Sequence, residues 1–364
     1  MSTVTIVGLG NIGSALVMLV ARMRGILRLT LVDPDVCVES NVVNQAIDAA
    51  AVGRPKVEVQ AAAIRAINPQ IRVEAIKARV ENVPLARLDS SVLVSCVDNR
   101  TARQAINRIA WRCGKPWIDA AVDAPSLVRV NVYVPGESAP CLECSFDDRT
   151  YELLEQEYPC DAGNIQVPAT GAPAELGTLA AAFQACEIRK IVEGDVAADV
   201  SLVSAQLMLD TQTYARHLCR FERNEQCRFD HESWQVEAFA QPSQETTLAE
   251  MFDAVDGGSD PAISLEGQPF VVYVDCIACG RRAHVGLSLY GRLSDSDRTC
   301  DCGGRMFAPG FFSSASIRRS ELSRPHLGLR LTDLGIRSGD VVSVTDESGG
   351  ARHIEIKEGQ PPNE

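Results

Sequence analysis

Apolar residues in the first third of the chain come in short runs, and amphipathic stretches separate them. Runs at 4–7, 28–33, 71–76, 92–97, 116–119 and 128–134 read as strands, and stretches at 13–23, 55–67 and 101–113 have helical spacing. This strand–helix alternation predicts an α/β fold: a doubly wound, Rossmann-like, largely parallel sheet with helices on both faces. Ligands of such sheets bind outside the carboxyl ends of the strands. A further helical signal at 175–194 is rich in alanine and ends at Gly194, as helices often do.

The pattern changes near residue 239. Residues 239–268 are polar and acidic around Gly257-Gly258-Ser259-Asp260-Pro261, which predicts a linker carrying one short helix near 248–255. Two small β-rich modules are expected beyond it, at 269–310 and 311–364, and the α/β domain is expected to span 1–238. In the last module, strands near 341–344 and 352–356 flank Gly349-Gly350, which reads as a hairpin turn.

Composition narrows the picture. Apolar residues make up 46% of 364, enough for a sizeable core. A net charge of −13 argues against nucleic acid as a partner, because a duplex binder needs a basic face. The longest apolar run, 12–21, stops at Arg22 and is too short for a bilayer, and residues 1–7 are expected to enter a strand and not to form a signal peptide. A cytoplasmic protein with no membrane partner is expected. The thirteen cysteines include the close pairs Cys141/Cys144, Cys276/Cys279 and Cys300/Cys302, a clustering that suits metal better than disulfides.

Gly8-Leu9-Gly10-Asn11-Ile12-Gly13 follows the first strand and opens the first helix. In a nucleotide fingerprint of this kind the glycines let the backbone turn tightly and approach a phosphate, which the helix N-terminus favours. Asp33, twenty residues past Gly13, ends the second strand, where a carboxylate can bond a ribose hydroxyl. An NAD-dependent oxidoreductase needs nothing more. This chain adds Asp35, Ser40-Asn41 and Lys56, a set better suited to a triphosphate and its metal. Lysine sits badly at the positive end of a helix dipole, so a bound anion would explain Lys56.

Gly53-Arg54-Pro55-Lys56-Val57-Glu58, Cys96-Val97-Asp98-Asn99, Pro140-Cys141-Leu142-Glu143-Cys144 and a helix from Gly177 to Val192 follow in order. From residue 3 to about 238, roughly two-thirds of its length, the chain thereby resembles the ThiF/MoeB-type adenylyltransferases, on whose module ubiquitin-activating enzymes are built. The resemblance implies ATP-dependent adenylation of the C-terminal glycine of a ubiquitin-like protein, with transfer to a cysteine thiol. It implies a homodimer, a partner protein ending in Gly-Gly and a conjugating enzyme as a further partner. A sulfur-carrier adenylyltransferase of the thiamine or molybdopterin type is the alternative; an NAD-dependent oxidoreductase and an inactive scaffold come behind.

By the same resemblance Gly8, Gly10, Asn11 and Gly13 would cradle ATP, Asp33 or Asp35 would hold the ribose, and Asn41 and Lys56 the phosphates. Asp98, with Asn99 beside it, would hold Mg²⁺. Cys160 lies in the crossover segment, where some relatives carry a cysteine that accepts the activated carboxyl group as a thioester or persulfide. A thiolate is a better nucleophile than water, although the neighbouring Asp161 would raise this thiol's pKa. One departure motivates the scaffold reading: relatives carry an arginine where this chain has Asn44, and Arg54, Arg100 and Arg103 are the available replacements.

Cys141-x2-Cys144 is half of a tetrahedral Zn²⁺ site. Relatives complete it after the long helix with another cysteine pair, where this chain has Cys227 and His231, with Cys219 as the competing fourth ligand. Cys276-x2-Cys279 and, after twenty intervening residues, Cys300-x-Cys302-Gly303-Gly304 describe a zinc ribbon. Its two knuckles supply four thiolates to a stretch too small for a good core. The resemblance does not extend to it. Cys37, Cys96, Cys113 and Cys186 lie in apolar elements and read as small core residues.

Overall fold

The computed structural model describes residues 2–123, 125–155, 172–194, 201–237, 243–254, 260–310 and 313–358. The chain splits into two compact units, Met1–Val83 with Leu88–Ser233, and Pro84–Arg87 with Trp234–Glu364. No helix among the described residues is long and apolar enough to cross a membrane.

The chain opens with β1 (Ser2–Val7), α1 (Asn11–Val20), β2 (Ile26–Val32), α2 (Lys56–Ile67) and β3 (Arg72–Ile76). The short α3 (Leu85–Leu88) follows in sequence, then β4 (Val92–Ser95), α4 (Arg100–Arg112), β5 (Trp117–Asp123) and β6 (Leu127–Tyr133). After α5 (Asp148–Glu155) and α6 (Ala174–Glu193) come β7 (Ala205–Asp210) and β8 (Arg216–Arg220). All eight strands join one sheet in the order β3-β2-β1-β4-β5-β6-β7-β8. The first five are parallel, and β6, β7 and β8 continue antiparallel.

The apolar runs explain this sheet. Strands covered on both faces need apolar residues at successive positions rather than alternate ones. Val92 and Val94 share a core with Leu16 and Val17 of α1, Ile64 of α2 and Ile188 of α6. Leu93, pointing to the other face by strand alternation, is fully buried too, and α4 contacts β4. The expected doubly wound sheet is therefore present. β4 ends at Ser95, two residues earlier than the apolar run, and β5 extends four residues further, to Asp123.

The second unit contains β9 (Val236–Glu237), α7 (Leu248–Ala254), β10 (Ala262–Leu265), β11 (Phe270–Cys276) and β12 (Arg282–Leu289). It continues with α8 (Asp295–Arg298), β13 (Met306–Phe307), β14 (Ser313–Ser314), β15 (Ser316–Arg318), α9 (Arg324–Leu327), β16 (Val341–Thr345) and β17 (Ala351–Glu355). One sheet runs β15-β10-β16-β17-β9; the other runs β12-β11-β13, with β14 also on β11. The stretch expected as a linker contributes to the core. Met251 and Phe252 of α7 and Ile263 of β10 are buried with Phe270, Leu289, Ile317, Leu334, Val342 and Ile354. Segments expected as linker, ribbon and tail thus share one apolar cluster. A seven-residue helix and a four-residue strand bury few residues each, so the average polarity of 239–268 conceals them.

The nucleotide-type loop is closed by contact. A Cβ at Gly13 would lie 1.9 Å from the Gly8 carbonyl oxygen. Gly8 has φ +87°, and a Cβ there would lie 2.7 Å from the Cys96 carbonyl oxygen; a Cβ at Gly10 would meet nothing within 4 Å. Gly13→Ala is therefore expected to destabilise by ~1–3 kcal/mol, the usual range for overpacking, while Gly10→Ala stays close to the parent. Urea unfolding followed by circular dichroism measures both, and equal midpoints for the two variants would contradict this packing.

Candidate functional site

The carboxyl ends of β1, β2 and β4 meet where the strand order reverses, the place such sheets use for ligands. The Gly8 amide donates to the Val32 carbonyl at 2.9 Å. Asp33, only 4% exposed, accepts from the Leu9 amide at 2.6 Å and from the Asp35 amide at 2.8 Å, one on each carboxylate oxygen. It ties the glycine loop to the end of β2. Burial pushes its carboxyl group up, against the Leu9 amide and the charge of Lys56.

Asp35 is exposed, and its carboxylate lies 2.9 Å from Lys56 Nζ. Lys56 is the first residue of α2 and is 8% exposed. The anion that a lysine at this helix position calls for is therefore supplied from within the chain. Asn41, in the short turn Glu39–Asn41, accepts from the Val38 amide at 3.0 Å. Asn11 Nδ2 donates to the Ala172 and Pro173 carbonyls at 2.9 and 3.1 Å, fastening the start of α1 to the start of α6. Gly177 permits this, since a Cβ there would sit 1.9 Å from Asn11 Oδ1. Asn44 Nδ2 reaches the same Ala172 carbonyl at 3.5 Å.

Asp98 is exposed beyond the end of β4 and accepts from Asn99 Nδ2 at 3.4 Å. Asn99 caps α4, with Oδ1 accepting from the Ala102 amide at 2.8 Å. Of the three replacement arginines, Arg103 is committed to Asp119 Oδ1 at 3.1 Å and the Val97 carbonyl at 2.7 Å, while Arg54 and Arg100 are exposed. The strand ends thus offer loop amides after β1, the Lys56 cation, and two exposed carboxylates after β2 and β4, the strands on either side of β1, groups that can meet a polyphosphate and its counter-ion.

Elsewhere in the same unit, Cys141, Cys144, Cys227 and His231 bring all four ligand atoms within 4.8 Å of one another. Cys141 and Cys227 Sγ stand 3.8 Å apart, and Cys144 Sγ is 3.2 Å from His231 Nε2. A tetrahedron with Zn–S bonds of 2.3 Å has an edge of about 3.8 Å, so thiolate spacing and donor chemistry fit Zn²⁺. The competing ligand Cys219 is instead on exposed β8, paired with Gln206. His231 has φ +60°, an uncommon backbone for a residue other than glycine. Cys276, Cys279, Cys300 and Cys302 form a second such group in the other unit.

Several residues that hold these groups were not singled out by the sequence. Glu143, fully buried inside the Cys141–Cys144 knuckle, accepts from Gln104 at 2.8 Å and Arg108 at 3.2 Å. Asn107 Oδ1 accepts from the Leu142 amide at 3.0 Å. Arg112 grips Asp230 bidentately at 2.6 and 2.8 Å, and the Trp111 ring meets His231 edge-on at 4.9 Å. Gln104, Arg108 and Arg112 recur every four residues and form one stripe of α4. That period is the available signal; the partners are distant in sequence.

Cys96 is core, as expected: it donates to Gln184 Oε1 at 3.3 Å, and burial holds its thiol well above the ordinary range. Cys37 is buried as well, and burial pushes the half-buried Cys113 up to about 12. Cys186 is a correction: it sits on the exposed side of α6, whose alanine-rich sequence carries too weak a helical period to assign that face. Cys160 lies outside the described residues.

The ThiF family model matches residues 1–229. Molybdopterin-synthase adenylyltransferase of Escherichia coli (strain K12) is 32% identical over 197 residues, covering 53% of this chain and 74% of that protein. Ubiquitin-like modifier-activating enzyme 5 of Rattus norvegicus is 26% identical over 286 residues, covering 72% and 67%. The SAMP-activating enzyme E1 of Haloferax volcanii is 33% identical over 150 residues, covering 40% and 54%. The crystal structure of E. coli MccB superposes with a TM-score of 0.51 at 19% identity, covering 66% of this chain and 68% of that one, a likeness of fold. The matched stretch contains the glycine loop, the Asp33–Lys56 cluster, Asp98 and Cys141 to Cys227, and on that match this chain belongs to the ThiF family.

Proposed function

We propose that this chain uses ATP to adenylate the C-terminal carboxylate of a ubiquitin-like or sulfur-carrier protein. The observation that carries the reading is the convergence of the glycine loop, the Asp35–Lys56 pair and Asp98 on neighbouring strand ends in a ThiF-family chain. A carboxylate oxygen of the carrier attacks the α-phosphorus, an O–P bond forms, the bond to the β-phosphate oxygen breaks, and pyrophosphate leaves. Gly10, Gly13 and the N-terminus of α1 take phosphate oxygens, Gly8 makes the turn that brings them there, its own amide being held by Val32, and Asn11 keeps that terminus in place. Asp33 or Asp35 holds the ribose, and Asn41 meets the phosphates. The triphosphate competes with Asp35 for Lys56.

Asp98, with Asn99 fixing the turn behind it, is the residue that would hold Mg²⁺; the ion neutralises phosphate charge and usually takes one or two carboxylates plus the phosphates themselves. The modifier and sulfur-carrier readings share the adenylation step and part at transfer. We assign transfer to the Cys160 thiol, where attack on the mixed anhydride forms a thioester and releases AMP.

Carrier-dependent ATP–pyrophosphate exchange tests these roles. Asp98→Ala is expected to abolish it, and Lys56→Ala to lower it about 10²–10³-fold, as loss of one charge-stabilising contact does. A loss under about threefold for Lys56→Ala would make it a structural partner of Asp35 only. Cys160→Ala should keep exchange while losing the thiol-reducible adduct; an unchanged adduct would reject Cys160.

The Cys141, Cys144, Cys227 and His231 set holds a structural Zn²⁺ in this reading. Arg112 then acts by fixing the 229–232 segment, and outer contacts of this kind are worth about 10–100-fold in metal affinity. Arg112→Met is expected to weaken that site by this factor in competition with a chromophoric chelator. Unchanged affinity would show that Arg112 serves packing alone.

A further inference from the structure

The second unit carries four thiols that the adenylation chemistry does not use and that lie beyond the residues matched by the family. Cys276 ends β11, and the turn after it is closed by the Cys276 amide to the Arg281 carbonyl at 2.8 Å and the Gly280 amide to the Cys276 carbonyl at 2.9 Å. A matching turn holds Cys300 and Cys302: the Cys300 amide donates to the Gly304 carbonyl and the Gly303 amide to the Cys300 carbonyl, both at 2.8 Å. β13 follows and pairs Met306 with Cys276, which sets the two turns face to face.

The sulfurs then lie in a tetrahedral spacing. Cys276 and Cys302 Sγ are 3.6 Å apart, Cys279 and Cys300 Sγ are 3.7 Å apart, and all four fall within 4.8 Å. Tetrahedral zinc with 2.3 Å bonds requires about 3.8 Å. The backbone is shaped to the cluster: a Cβ at Gly304 would lie 2.7 Å from Cys276 Sγ and 3.3 Å from Cys302 Sγ. The local apolar cluster around the two turns is small, with Val274, Cys276, Cys300 and Met306 buried. The far end of the same ladder, Phe270 and Leu289, belongs to the larger core. One end of β11–β12 is therefore held by the larger core, and the other by a smaller cluster in which two of the four buried members are thiols and Ala283, Val285, Tyr290 and Leu293 are only partly buried.

We infer that Cys276, Cys279, Cys300 and Cys302 bind one Zn²⁺ as a closed four-thiolate site, and that this ion locks the 274–307 end of the second unit. Four Zn–S bonds form as the four thiols release their protons to solvent, and no coordination position stays open for a substrate. This site rests on neither the family nor the adenylation reading.

The test uses the full chain purified under reducing conditions. Cys279→Ser/Cys302→Ser is expected to contain one zinc ion fewer per chain than the parent, and Cys144→Ser should not remove that same ion. Hydrogen exchange should show amides in 274–307 losing protection in the double variant while β16 and β17 keep theirs. Unchanged zinc content, or iron in place of zinc in the parent, would overturn the assignment. Should the double variant not fold, chelator titration of the parent replaces it: loss of zinc without deprotection of 274–307 would overturn the locking role. ATP–pyrophosphate exchange is read alongside, so that failure of the adenylation reading leaves the zinc count as a separate result.

Discussion

The first unit is organised around a contact that leaves no room for a side chain: the start of α1 rests on the Gly8 carbonyl, and Gly8 rests on the end of β4. Everything at the crevice follows from that closeness. The Leu9 amide is directed at Asp33, which fixes the loop to β2. Asn11 crosses to the two carbonyls that precede α6, where Gly177 makes space for it. Gln184, further along α6, donates to the Ser95 carbonyl at 2.9 Å and accepts from Cys96, closing the ring. Buried hydrogen bonds add modestly to stability, about 1 kcal/mol each, and leaving one unmade is more damaging. Their larger effect is to hold the loop amides in one orientation before a phosphate arrives, which is where electrostatic preorganisation acts.

α4 links this crevice to the cysteine–histidine cluster. Its N-terminal cap, Asn99, adjoins Asp98, and its first turn carries Arg103 against Asp119. Its polar stripe grips Glu143 and Leu142 on one side of the cluster and Asp230 on the other. The uncommon backbone at His231 lies beside that last grip, so the Arg112–Asp230 pair holds a turn that the chain would rarely adopt alone. A metal at the cluster would brace the far end of the same helix whose start carries Asp98.

Much of the parallel sheet was legible because its strands are buried on both faces and their apolar runs are continuous; Val92 to Val94 is the clearest case. The places of Asp33 and Asp98 just past the ends of β2 and β4 were legible for the same reason. The partner of Lys56 was not: its sequence position calls for an anion, but Asp35 lies twenty-one residues away, across the end of β2. Asn11 read as part of a phosphate loop, and its contact to residues 172 and 173 depends on α6 packing on α1. In the second unit the shared core was hidden because its members come singly from short elements: Ile263, Ile317 and Ile354 belong to three separate strands.

Oxygen-isotope transfer tests the proposed activity most directly. A cognate carrier labelled with ¹⁸O in its C-terminal carboxylate is incubated with the protein, ATP, Mg²⁺ and a thiol acceptor. Attack of the carboxylate on the α-phosphorus leaves one labelled oxygen on AMP when the acyl group is transferred, so labelled AMP with unlabelled pyrophosphate is the expected result. Labelled inorganic phosphate with ADP, or AMP free of label, would contradict adenylation by this crevice.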